Sequence, residues 1–112
     1  FVRPDTTIPF MMMPDAIQAL IQIADAPRTQ LTRRTYNVTS FSLSAQDFVD
    51  ILQQTFPNLT VTFTPHTGRQ AIVDSWAYGL DDTRARVDWG WQPQFDLDNA
   101  FDAYLLPNMM TV

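Results

Sequence analysis

Arg69, Asp74 and Trp76 stand close together in the run RQAIVDSW and combine side chains that can hold a small polar substrate. An arginine fork suits a carboxylate or a phosphate. An indole can wall a small pocket beside it, and Asp74 can orient the arginine. Each residue also has a structural reading: Arg69 paired with Asp74 or with the Asp81–Asp82 helix start, Trp76 as a packing residue, Asp74 and Ser75 as backbone caps. His66 is the one imidazole, but no carboxylate stands at useful spacing, so it reads as a solvated loop residue. Asp15 is sufficiently explained by the positive end of a helix, and Met11 to Met13 by packing. The Asp pairs lack calcium-loop spacing, so no metal is expected.

Composition removes whole classes of chemistry. Every acid is Asp and every base is Arg; Glu, Lys and Cys are absent. The chain therefore offers no Schiff-base or phosphate-binding lysine, no disulfide, no zinc thiolate and no cysteine nucleophile. A net charge of −5 disfavours nucleic acid as a partner. No apolar run is long enough to span a bilayer, and reducing, cytoplasmic surroundings are the expectation. At 112 residues, a single domain is expected over the whole chain.

These residues need elements to position them. Ile8 to Met13 reads as a strand, followed by a helix from Pro14 to about Ala26. That helix is apolar around most of its circumference, apart from a stripe of Gln18, Gln22 and Asp25, and so needs cover from several sides. Thr35 to Thr39 and Leu59 to Thr64 alternate like strands. Ser44 caps a helix with Asp47 at the third position, and Phe48, Ile51, Leu52 and Phe56 give it an apolar face. Arg69 is expected in a loop. Asp81 or Asp82 opens a short helix that Gly90 stops in the left-handed conformation, with Trp91 packing back. Asp96 or Asp98 starts a last helix, which Pro107 is expected to break. The sum is an α+β (mixed α/β) fold with about three short strands and four helices.

The pieces also resemble, in order and over nearly the whole chain, the substrate domain of extended short-chain dehydrogenases and NAD-dependent epimerases and dehydratases. Ile8-Pro9-Phe10-Met11-Met12-Met13-Pro14-Asp15-Ala16 is similar to the strand-into-helix step of the threonine dehydrogenase branch. Tyr36-Asn37-Val38 followed by Ser44 resembles its Tyr-Asn-Leu strand and capped helix. Arg69 to Trp76 is close to its characteristic Arg-Gln-Ala-Ile-Ala-Asp-Ser-Trp, and Asp88-Trp89-Gly90-Trp91 matches its exit. Thr7, Met12 and Ala77 depart from the family's usual Arg, Tyr and Pro.

The resemblance implies that the chain is a C-terminal, substrate-binding portion whose Rossmann half is absent, a reading to which the missing initiator Met contributes. It further implies NAD-dependent oxidation of L-threonine to 2-amino-3-ketobutyrate by the complete enzyme. No cofactor would be bound by this chain, and no catalytic residue supplied, because the Gly-rich turn and the Tyr-x-x-x-Lys pair are not in it. Arg69, Asp74 and Trp76 become substrate-binding candidates, and the Rossmann half becomes the expected partner. Two other readings compete: the same portion of a sugar-nucleotide epimerase or dehydratase, with Arg69 on a diphosphate, or a free-standing binding module that covers its apolar helix by self-association.

Overall fold

The computed structural model describes residues Phe1–Thr111. The chain forms two compact units, each assembled from separated stretches. The first holds Phe1–Pro9 and Ser42–Gly79; the second holds Phe10–Phe41 and the residues from Leu80 onward.

In the first unit, β1 (Thr7–Phe10) pairs with β2 (Phe41–Ser44), each strand carrying one end residue in the second unit. Backbone bonds from Ala45 N–H to the Thr6 carbonyl and from Gln46 N–H to the Pro4 carbonyl, both 2.9 Å, continue the pairing beyond the strands. One partner number rises as the other falls, so the pair is antiparallel. Helix α2 (Ala45–Thr55) begins at a reciprocal capping box. Ser44 Oγ accepts from Asp47 N–H, while the Asp47 carboxylate accepts from Ser44 N–H and Oγ–H. Those bonds hold the Asp47 carboxyl below its usual range. Helix α3 (Thr67–Asp74) is capped by His66, whose Nδ1 accepts from Arg69 N–H at 3.3 Å. His66 is thus an exposed loop residue, as expected, that also caps a helix, while Arg69 lies on a helix and not in a loop.

The second unit is built on helix α1 (Met13–Asp25) and helix α4 (Thr83–Trp89). Ala19, Ala85 and Trp91 form its core, with Met11, Tyr36, Val38 and Trp89 packed against them. Gly90 ends α4 at φ 72°, as expected, and the chain turns back so that Trp91 is 2% exposed. Asp82 shapes that corner: its two oxygens accept from Arg86 Nε at 2.9 Å and from Trp91 Nε1 at 3.2 Å. Asp15 does more than favour a helix end. It is buried, and its carboxylate accepts from Gln94 N–H at 2.9 Å and Phe95 N–H at 3.0 Å, with Ser40 Oγ at 3.4 Å. Along α1, Met13, Ile17, Leu20 and Ile21 are exposed.

The α+β class holds, but two expected strands do not form. Neither Thr35 to Thr39 nor Leu59 to Thr64 has a ladder partner among the described residues. An alternating pattern makes a strand only where a neighbour accepts its hydrogen bonds. Pro107 does not break the last helix either. The chain runs through α5 (Leu97–Asn99), a π-helical stretch (Ala100–Leu105) and α6 (Leu106–Met110). Leu106 N–H reaches back to the Phe101 carbonyl in the wider register, so proline follows a bulge that makes room for it. The Asn108 side-chain amide donates to the Tyr104 carbonyl at 2.6 Å. Asp96 is the starting cap, accepting from Asn99 N–H at 2.9 Å.

Candidate functional site

The first unit carries an open polar groove of about 300 Å³, lined on one side by Arg3, Asp5, Thr6 and Thr7 and on the other by Val73, Asp74, Trp76 and Tyr78. The first side leads into β1, and the second is the end of α3 and the turn after it. Gln70 joins the sides and is 5% exposed. Its Oε1 accepts from Arg3 N–H at 2.7 Å, while Nε2 donates to Thr6 Oγ1 at 3.0 Å and Asp74 Oδ1 at 2.7 Å. Both amide protons and the carbonyl are therefore used, which fixes the side chain's orientation.

Arg3 meets Asp74 through both terminal nitrogens, at 3.0 and 2.9 Å, and turns Nε to Asp5 at 3.2 Å. A two-pronged pair of this kind restricts both partners geometrically. The Arg3 guanidinium, and after it the Gln70 amide, hold the Asp74 carboxyl below its usual range. The same contact holds Arg3 protonated more firmly than an isolated arginine. Both side chains are nearly half exposed, so water screens the pair and its value lies more in position than in stability.

Two of the three sequence candidates thus meet. Asp74 and Trp76 line the groove, and Trp76 is 55% exposed, leaving an indole face open instead of packed away. Arg69 does not line it. Its guanidinium lies 5.3 Å from the centre of the Phe1 ring, a cation–π arrangement, and the arginine bound to Asp74 is Arg3. Ser75 donates its hydroxyl to the Ile72 carbonyl at 2.6 Å, a local backbone bond as expected. Sequence reading missed Arg3, Gln70 and Tyr78. Arg3 and Asp74 lie 71 positions apart, and no local pattern links them. Thr7, where the resemblance leads one to expect arginine, shares the groove with Arg3.

Among the described residues no cluster of three or more His, Cys, Asp or Glu side chains is placed to hold a metal ion. No helix among them is long and apolar enough to cross a membrane.

No family model matches the chain. Individual relatives do. The mitochondrial L-threonine 3-dehydrogenase of Bos taurus is 38% identical over 96 residues, covering 86% of this chain and 26% of the relative. An uncharacterised epimerase/dehydratase of Staphylococcus saprophyticus is 35% identical over 98 residues, covering 87% and 31%. The crystal structure of L-threonine dehydrogenase from Phytophthora infestans superposes with a TM-score of 0.90 at 34% identity, over 100% of this chain and 36% of that one. The chain belongs to the extended short-chain dehydrogenase family, in the branch that holds L-threonine 3-dehydrogenases and epimerase/dehydratases, and corresponds to a C-terminal portion of that fold. It spans about a quarter to a third of the length of these relatives.

Proposed function

We propose that the chain supplies the substrate-side wall of an NAD-dependent oxidoreductase acting on L-threonine, and that alone it catalyses nothing. The observation that carries this is the groove itself: the Arg69-to-Trp76 segment that resembles the dehydrogenases delivers Asp74 and Trp76 to it, opposite Arg3. A groove with fixed charges of both signs and an open indole suits a small zwitterion with a short side chain. Arg3 is the group for the carboxylate, Asp5 or Asp74 for the ammonium, and Trp76 for the methyl-bearing carbon. Arg69 would act only through its contact with Phe1.

The residues do not fit the nicotinamide cofactor. The three glycines stand far apart, at positions 68, 79 and 90, so there is no Gly-rich phosphate turn, and no lysine is present. Cofactor binding and proton transfer thus fall to the part of the relatives' length that this chain does not cover. The same part is the natural cover for Met13, Ile17, Leu20 and Ile21 on α1. An apolar patch of that kind marks an interaction surface, and self-association is the competing way to bury it. Sedimentation of the isolated chain would reveal oligomers if that alternative operates.

The test is an NAD reduction assay with L-threonine. The chain alone is expected to show no turnover and the complete reading frame to show it. In the complete enzyme, Trp76→Ala should raise KM about tenfold or more. An unchanged KM removes Trp76 from the site. Turnover of a nucleotide sugar with none of threonine would establish the second reading, which the Staphylococcus relative favours by its name.

A further inference from the structure

The second unit holds a polar recess of about 230 Å³ whose lining includes Arg33, Thr35, Asn37, Asp81, Thr83 and Arg84. Its walls are pinned by bonds that a plain surface loop would not need. The Tyr36 hydroxyl accepts from the backbone N–H groups of Thr32 at 2.9 Å and Arg33 at 3.2 Å, and donates to Asp88 at 2.7 Å. The turn carrying Arg33 is thereby wrapped around its own tyrosine. On the other wall Asp81 Oδ1 accepts from Thr83 N–H at 3.0 Å and Oγ1–H at 2.6 Å, and Asn37 Nδ2 approaches the Asp81 carbonyl at 3.5 Å.

These bonds leave specific groups available. Among the described residues the Arg33 guanidinium has no hydrogen-bond partner, and both bonds to the Asp81 carboxylate fall on one oxygen. Arg84 is held only loosely, 3.5 Å from Asp88. We infer that this recess binds a small zwitterion of the amino-acid class, its carboxylate taken by Arg33 and Arg84 and its ammonium by the second oxygen of Asp81. Charge of both signs excludes the alternatives: Asp81 repels a simple anion, and the two arginines repel a simple cation. Size sets the class, because pockets for drug-sized ligands start at about 300 Å³. The site is independent of the groove reading and would stand if that reading failed.

The experiment is calorimetric titration of the protein with glycine, acetate and methylammonium, on the parent and on Arg33→Ala, Asp81→Asn and Trp76→Ala. The parent should bind glycine saturably and the two half-ligands at least about tenfold more weakly. Arg33→Ala should weaken glycine held in the recess by about tenfold or more, Asp81→Asn should bring acetate level with glycine there, and Trp76→Ala should weaken only glycine held in the groove. Retention of the near-ultraviolet tryptophan signal shows that the variants are folded; Arg33 and Asp81 are both exposed, so it should persist. No saturable glycine binding, equal affinity for acetate in the parent, or loss of binding in Trp76→Ala with none in Arg33→Ala would each overturn the inference.

Discussion

The two units hold themselves together by different means. In the second, a tryptophan and two alanines exclude water, and one buried carboxylate ties distant backbone to α1. In the first, the tie between the segment before β1 and α3 is polar: a buried glutamine spans an arginine and an aspartate that stay wet. Apolar burial contributes roughly in proportion to area, whereas a hydrogen-bond network mainly fixes geometry. The apolar core of the second unit should therefore act as ballast, whereas the network of the first fixes where the groove's polar atoms stand.

That contrast can be broken by substitution. The largest expected effect is Trp91→Ala, which opens a cavity in the second unit's core and should cost about 3–5 kcal/mol, read as a lowered urea midpoint. Asp15→Ala comes next. It strands the Gln94 and Phe95 N–H groups at about 1–3 kcal/mol each, and amide exchange at those two positions should accelerate along with the loss of stability. Gln70→Ala should cost less, on the order of 1–3 kcal/mol in all. Its sharper signature is a loss of Arg3–Asp74 coupling in a double-mutant cycle, with the Trp91 environment unchanged.

The smallest effect is one of pH. Asp74 and Asp88 are both held below the usual carboxylate range in the folded chain, Asp88 by Thr32 and then Tyr36. A depressed folded-state pKa contributes stability that is fully present above the unfolded value and lost as pH falls through the folded one. Unfolding midpoints should thus decline on acidification below the ordinary carboxylate range. Asp74→Asn should flatten that decline by about as much as it lowers the neutral-pH midpoint, both changes being small because the exposed pair is weak. A midpoint that stays constant on acidification contradicts this account.

What was legible in the sequence was local. The Ser44–Asp47 box and the Gly90 stop are decided within a few residues and appear as read, and Asp96 is the one of the two candidate caps that forms. What failed depended on remote partners. Val38 and Val61 sit in patterns that alternate well, yet alternation carries no information about whether a neighbouring strand exists. Helix α3 was missed because Thr67-Gly68 is a weak start, and a histidine cap is not among the preferred ones. Of the three substrate-binding candidates, Asp74 and Trp76 lie along the groove and Arg69 lies over Phe1, while only the fold brings Arg3 across. The Asp15 carboxylate shows the same limit, with its partners lying 79 and 80 positions away.

That last distance has a consequence for how the chain comes into being. A carboxylate that ends up sealed from water is made 79 and 80 positions before the amides that receive it. Until Gln94 and Phe95 have left the ribosome, α1 must keep Asp15 hydrated, so the second unit cannot close one helix at a time. Such long-range closure belongs with slow, late-committing folding. A chain halted between Gly90 and Gln94 should remain open to protease around α1, and release of a few more residues should protect it in a single step.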